Sequence, residues 1–240
     1  MIKQVKFNFK RIILRNPSFL FFDILIPVMF YLLFTKVMSS NDPSFERDYL
    51  VSMMIYANLL GSVLTVANTL VTDYTSGYAK LLQILPLKRW QYYVSVGSCF
   101  WLLNVLCVIA LGVAGWIFNG IVFSAKLWAI LVLVIPLLAT PLMLLGVLLA
   151  TTRNVNTVNV LGNIVFLLAI ISGLWWPFEL LPHWIQVLGG HTPVYYVAEI
   201  ARELVNGGSL TLGYFGGIVI WSGLLSSLIY LSEKLMRRVQ

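Results

Sequence analysis

Residues 127–150 read LWAILVLVIPLLATPLMLLGVLLA, a run of 24 residues without a charged side chain. As an α-helix this run would be about 36 Å long, enough to cross a bilayer's hydrocarbon core of roughly 30 Å. Charged or turn-forming residues border five further apolar stretches. The six predicted spans are residues 19–34, 49–71, 92–118, 127–150, 158–175 and 214–231.

The overall composition agrees with membrane spans rather than with a soluble core. The chain has 240 residues, of which 60% are apolar and 10% charged, against roughly 45–50% and about 25% in soluble domains. Helices are favoured because they satisfy every backbone polar group within one segment in lipid, and the ten-residue alternation of membrane strands is missing. The sequence therefore predicts an all-α, polytopic membrane protein with six transmembrane helices.

Basic residues are distributed unevenly between the two sides that six spans define. Twelve of the 16 fall on the side of both termini, and the positive-inside rule then predicts a plasma-membrane protein with both termini in the cytoplasm. The net charge of +7 is explained by this topology, and no nucleic-acid partner is expected. The twelve are Lys3, Lys6, Lys10, Arg11, Arg15, Lys80, Lys88, Arg89, Arg153, Lys234, Arg237 and Arg238.

Residues 2–15 predict a helix that lies along the inner surface of the bilayer. Apolar residues such as Val5 and Phe9 share one face, while Lys6 and Lys10 lie opposite, and Arg11 follows. This interfacial helix has two interpretations, a simple positive-inside anchor or an anchor with an additional docking role.

Residues 73–90 are too polar to span the membrane and too apolar for a solvated loop. Asp73 can cap a helix, Leu82 lies among leucines at helical spacing, and Pro86 ends the pattern. A short amphipathic helix is predicted that either meets a partner protein or lies back on the lipid.

Residues 175–206 predict short helices that dip into the outer leaflet between spans five and six. Pro177, Pro182 and Pro193 divide the segment, and its tryptophans and tyrosines are typical of membrane interfaces. These re-entrant helices are not expected to form another complete crossing.

The polar residues within the predicted spans have two possible roles. Packing hydrogen bonds explain them, or they line a substrate path. The Asp23 carboxyl is either a partly hydrated acid near the membrane boundary or a coupling-ion site. The candidates for the substrate path are Asn58, Thr65, Asn68, Asn159 and Asn163.

Catalytic and nucleotide-binding motifs are missing from the sequence. It contains no phosphate-binding loop, so ATP would have to be handled by another chain. His183 and His191 have no cysteine partners and are interpreted as packing residues rather than metal ligands. The chain is therefore predicted not to be an enzyme and to bind no cofactor or metal itself.

The order of these features resembles the membrane subunit of an ABC-2 type ATP-binding-cassette exporter over nearly the whole chain. A basic interfacial helix is followed by a cytoplasmic loop with Gly77 and Pro86, and then by a proline- and tryptophan-rich outer pattern. The outer pattern is the more specific part, and its residues are Ser172, Gly173, Pro177, Leu181, Pro182, Trp184, Pro193 and Tyr196.

This resemblance implies a coupling helix that docks in a groove of a separate ATPase. It also implies that the six-helix permease domain, here residues 1–240, pairs with a second copy. Two ATPase subunits that bind ATP and Mg²⁺ would then dock below the pair. The residues that match the coupling segment are Asp73, Gly77, Lys80, Leu82 and Pro86.

The function expected from these features is ATP-driven export of a hydrophobic or amphipathic compound such as a drug, antibiotic, peptide or lipid-like molecule. A polysaccharide is an alternative cargo. Two alternative functions remain at this point, an ion-coupled transporter that uses Asp23 and a non-transport membrane module that docks a regulatory protein.

Overall fold

The computed structural model describes residues 2–14, 17–37, 43–78 and 89–239, and every regular element in these ranges is helical. The elements in chain order are α1 (Ile2–Phe9) with a π-helix (Lys10–Leu14), α2 (Pro17–Leu32) with a π-helix (Leu33–Val37), α3 (Pro43–Leu59), a π-helix (Leu60–Thr65), α4 (Val66–Thr75), α5 (Arg89–Asn119), α6 (Ala125–Leu138), α7 (Thr140–Ala150), α8 (Val155–Gly162), α9 (Ile164–Ile171), a 3-10 turn (Phe178–Leu180), α10 (His183–Gly189), α11 (Pro193–Asn206) and α12 (Leu212–Val239).

Four helical stretches in the described residues are long and apolar enough to cross a membrane. They coincide with the second, third, fourth and sixth predicted spans. The chain is an all-helical, polytopic membrane protein, as the sequence predicted. The four stretches are Pro43–Thr75, Val94–Asn119, Ala125–Ala150 and Leu212–Leu235.

The other two predicted spans are also helical. The first, predicted at 19–34, lies in α2 and the start of the π-helix that follows it. The fifth, predicted at 158–175, lies three to four residues earlier in the chain: its apolar helix covers Val155–Ile171, or 17 residues. It ends early because Gly173 adopts a left-handed conformation, with φ of 70°, which turns the chain away from the helix axis.

The fourth span is divided into two helices at Ala139. Pro136 lies near the end of α6, and Pro141 lies in the first turn of α7. Proline donates no backbone hydrogen bond, so an interruption between two prolines leaves few groups without partners.

The second span, Pro43–Thr75, lies at the centre of the subunit. In its most apolar stretch of 18 residues, 94% of the residues are buried inside the subunit. The corresponding share in Leu212–Leu235 is 11%. Helix α3 packs against α2, α5 and α11, while α4 and the preceding π-helix pack against α7. Because this span is covered by its own chain, its position fixes the positions of its neighbours.

The two ends of the helical bundle differ in chemistry. The basic end contains Arg11, Asp73 and Arg153, where the second span finishes. The aromatic end contains Tyr49, Trp175 and Trp176, where that span begins.

Polar side chains meet beside the π-helix of the second span. The Thr65 hydroxyl donates to Oδ2 of Asp23 at 2.7 Å, and the Asn104 amide donates to the Ser62 hydroxyl at 2.7 Å. A Cβ at Gly61 would lie 2.9 Å from Oδ1 of Asn104. Glycine at this position therefore lets α5 approach closely enough for the polar contacts to form.

At the aromatic end, hydrogen bonds fold the chain between α9 and α12 back onto the bundle. The hydroxyls of Ser172 and Thr192 lie 2.8 Å apart. Thr192 also caps α11 by accepting from the backbone N–H of Tyr195. One end of α9 and the start of α11 are thereby joined.

Replacing Gly146 by Ala tests the close packing of α7 against the π-helix of the second span. An added Cβ would lie 2.5 Å from the Ser62 carbonyl oxygen and 2.9 Å from that of Val63. Neither backbone atom can rotate away, so we expect a loss of about 1 to 3 kcal/mol in stability. Thermal unfolding of the purified protein in detergent measures this loss.

The matched control is Gly223→Ala in α12, where an added Cβ meets nothing within 4 Å. This variant should unfold at the same temperature as the original protein or slightly above it, because alanine favours a helix more than glycine does. Equal unfolding temperatures for the Gly146 and Gly223 variants would show that α7 does not pack as described.

Candidate functional site

The second span ends at the basic end with a glycine turn. Helix α4 finishes at Thr75, the N–H of Ser76 still bonds to the Thr72 carbonyl, and Gly77 follows with φ of 78°. A left-handed glycine is a common helix terminator because it carries no Cβ. Gly77 thus directs the chain out of the helix and towards residues 79–88.

The carboxylate of Asp73 is the centre of a hydrogen-bonded group. Arg11 binds it with both terminal guanidinium nitrogens, and the Nη2–Oδ2 distance is 2.8 Å. The Tyr92 hydroxyl donates to the same Oδ2. Three donors on one buried carboxylate form charge-assisted bonds, which are stronger than bonds between neutral groups.

Arg11 is held on several sides. Its guanidinium carbon lies 4.3 Å from the centroid of the Tyr78 ring, in a cation–π arrangement. Burial acts to lower the pKa of Arg11, but the hydrogen bond and charge of Asp73 outweigh it and hold that pKa above its ordinary value. Arg11 is therefore a permanent cation beside Asp73.

Two further contacts tie α1 to α5. The Asn8 amide donates to the Ser95 hydroxyl at 2.6 Å, and the Cys99 thiol lies 3.7 Å from the Val5 carbonyl oxygen. Helix α1 therefore packs against the start of α5 rather than standing apart from the bundle.

The turn between α7 and α8 also reaches the basic end. The guanidinium of Arg153 lies 5.4 Å from the centroid of the Tyr74 ring, next to Asp73 in α4. Asn154 then caps α8 by accepting from the backbone N–H groups of Asn156 and Thr157. Two arginines from distant parts of the chain thus cover the two tyrosines that flank this end of the second span.

Comparison with known proteins identifies the family. A family model described as ABC-2 type transporter matches residues 3–205, a range that includes the whole arrangement around Asp73. The chain belongs to the ABC-2 type transporter family. It is also 31% identical over 247 aligned positions to the protein named "Putative transport permease YvfS" of Bacillus subtilis (strain 168), and the alignment covers 99% of this chain and 97% of that protein.

Membership of this family makes the chain a permease subunit of an ABC-2 type transporter. Its membrane domain is a non-catalytic component, and the family implies a separate partner ATPase subunit. The resemblance found in the sequence is confirmed, as is the expectation that the chain is not an enzyme.

Within this ABC-2 permease, the residues predicted for coupling fall into two groups. Asp73 and Gly77 lie together at the basic end. Lys80, Leu82 and Pro86 lie outside the described residues. The interpretation of Asp73 as a helix cap is wrong, because Asp73 lies in the last turn of α4 and binds Arg11.

The three basic residues predicted for the interfacial helix are in different environments. Lys6 and Lys10 are exposed, whereas Arg11 is largely covered by the permease. The lysines can therefore meet lipid headgroups or solvent, and the arginine acts within the fold.

The five residues predicted to line a substrate path are also divided. Asn58 is buried and donates to the Met54 carbonyl of its own helix at 2.8 Å, and Thr65 is buried against Asp23. Asn68 is half-buried, while Asn159 and Asn163 are exposed on and beside α8. The buried pair has packing partners inside this permease subunit.

Sequence reasoning missed Asn8, Tyr92, Ser95 and Asn104. An asparagine in the apolar run of α5, as Asn104 is, could have been recognised as a costly polar group in lipid. The partners of Asn8 and Tyr92 lie 87 and 19 residues away in sequence, and local spacing gives no signal for such contacts.

Replacing Arg11 by Ala tests the ion pair at the basic end. Asp73 is 4% exposed, so the variant leaves a buried carboxylate without its cation, and we expect a loss of about 2 to 4 kcal/mol in stability. Thermal unfolding in detergent measures the loss, and Lys10→Ala, an exposed change in the same π-helix, should have no effect.

A double-mutant cycle separates the ion pair from other effects of truncation. If Arg11 and Asp73 stabilise each other, the double alanine variant should lose clearly less stability than the two single losses added together. Strict additivity would show that the two side chains do not interact.

Proposed function

We propose that this permease subunit crosses the membrane six times and that its basic end faces the cytoplasm. The four long stretches supply four crossings, and α2 and the helix Val155–Ile171 supply the remaining two. The cytoplasmic assignment is supported by twelve of the 16 basic residues falling on the side of the termini. The aromatic end then faces outward, with its short helices at the outer leaflet.

The proposed role of the basic end is to transmit ATPase movement to the membrane spans. The observation that carries this role is that both flanks of residues 79–88 converge on Asp73. Tyr78, on one flank, lies under the Arg11 guanidinium, and Tyr92, just beyond the other flank, donates to the Asp73 carboxylate. A segment anchored at both ends passes displacement to α4 and α5.

The proposed assembly contains two permease subunits and two ATPase subunits that bind ATP and Mg²⁺. Pairing is supported by the exposure of α12, because only 11% of the residues in its most apolar stretch are buried within one subunit. Such a surface is available to lipid or to a second copy of the chain.

The proposed cargo is a hydrophobic or amphipathic compound that is exported from the membrane. Large apolar side chains such as Trp116, Leu137 and Val219 are exposed on the spans, so the lateral surface of the subunit is accessible to lipid-soluble molecules. Transport would then begin with a molecule already in the bilayer.

Leu82→Asp tests the proposed coupling segment. An aspartate there would place a charge in an apolar docking groove, so we expect the affinity for the partner ATPase to fall about tenfold or more. The measurement is co-purification of the ATPase with the tagged permease, followed by ATP hydrolysis by the complex.

Leu210→Asp is the matched control, because Leu210 is an exposed leucine at the aromatic end, between α11 and α12. It should retain the ATPase fully. If Leu82→Asp also retains both the ATPase and its activity, residues 79–88 are not the coupling segment.

Asp23→Asn distinguishes ATP-driven transport from ion-coupled transport. Asparagine keeps an acceptor oxygen for the Thr65 hydroxyl but cannot bind or release a proton. We expect ATP-dependent export of a lipophilic dye from proteoliposomes to continue in this variant. Complete loss of export, with ATP hydrolysis unchanged, would favour the ion-coupled mechanism.

A further inference from the structure

The aromatic end contains a cavity of about 290 Å³ between the start of α3, the chain after α9 and helix α11. Its lining combines aromatic rings with charged side chains. The residues that matter here are Phe45, Asp48, Tyr49, Trp176, Glu179 and Arg202. Its volume is near the lower limit for small-molecule sites, so one aromatic ring with a compact substituent fits.

The aromatic walls of this cavity are held in place by other rings. Tyr49 stacks on Phe45 with centroids 5.5 Å apart and planes 16° apart. Phe34 packs behind both walls, with its centroid 5.2 Å from that of Tyr49 and 5.5 Å from that of Trp176. Trp176, which is 45% exposed, therefore presents a fixed aromatic ring at the cavity, and such rings attract cations.

The charges around the cavity leave it negative. Arg202 is paired with Glu199 at 2.7 Å and donates to the Gly173 carbonyl at 2.8 Å, so its charge is already neutralised. Asp48 accepts only from the neutral Asn206 amide among the hydrogen bonds to its side chain in the described residues, and Glu179 is exposed. Two carboxylates therefore remain beside the aromatic rings.

A second cavity, of about 270 Å³, is similar in size and is also lined by aromatic rings, but it lacks the charges of the first. It is lined by Trp116, Phe123 and Trp128 among other residues, and none of its lining residues is charged. The two cavities therefore differ chiefly in electrostatics.

We propose that the cavity at the aromatic end binds an amphipathic organic cation, whose charged group lies near Asp48 and Glu179 and whose ring lies against Trp176. The assignment rests on the transport function proposed above, because it makes this cavity a site on the outward path of the cargo. It narrows the cargo from amphipathic compounds in general to those that carry a positive charge.

The test uses the purified full-length permease in lipid nanodiscs, without any ATPase. The probe is radiolabelled phenyltrimethylammonium, and binding is measured at equilibrium against empty nanodiscs. Its uncharged isostere, tert-butylbenzene, serves as competitor. We expect saturable binding that the isostere displaces poorly.

Three variants locate the charge dependence. Glu179→Gln and Asp48→Asn should each weaken probe binding about fivefold, because each removes one nearby carboxylate charge. Glu203→Gln is the control, since Glu203 is an acid at the same end that bonds to Thr211 and does not line the cavity. It should leave the dissociation constant unchanged.

The proposal is overturned if binding is not saturable, if tert-butylbenzene competes as well as the cation, or if Glu203→Gln weakens binding as much as Glu179→Gln. Because the assay contains no ATPase, failure here leaves the proposed coupling of the permease to ATP hydrolysis intact. Loss of coupling in Leu82→Asp would in turn leave probe binding unchanged.

Discussion

The enclosure of the second span by its own chain is the constraint on which the rest of this permease depends. A helix with apolar residues on every side must be covered, and α2, α5, α7 and α11 provide that cover. The span carries Asp48 and Tyr49 near one end and Asp73 near the other. The candidate coupling site and the aromatic cavity therefore share one structural element.

Polar groups in this subunit are concentrated where the protein itself can satisfy them. Asp73 is neutralised by Arg11 at the basic end, and Thr65, Ser62 and Asn104 bond to neighbours inside the bundle. Charges and amides cost free energy in lipid, so such groups are retained only with partners nearby. Several buried atoms are exceptions, among them the hydroxyls of Tyr31, Tyr49 and Tyr56.

The helical membrane class and the transporter family could be predicted from the sequence, because long apolar runs and the order of glycines and prolines are local signals. Arg11 and Asp73 were both singled out, but their pairing was not, since 62 residues separate them. The fifth helix was predicted, but its end was placed four residues too late, because that end depends on the backbone conformation of Gly173 and the apolar residues Leu174 and Trp175 follow closely. The π-helices were missed because their residues are typical of ordinary α-helices.

The orientation of Asp73 depends on the hydrogen-bonding pattern of the π-helix Leu60–Thr65, which ends eight residues before it. In this segment each turn holds more residues than an α-helical turn does. A shift of one residue between the π-helical and the α-helical pattern would rotate the following part of the span by about 100° and advance it by about 1.5 Å. A change in this segment would therefore link a small displacement along the axis of the span to a large rotation of Asp73 about that axis.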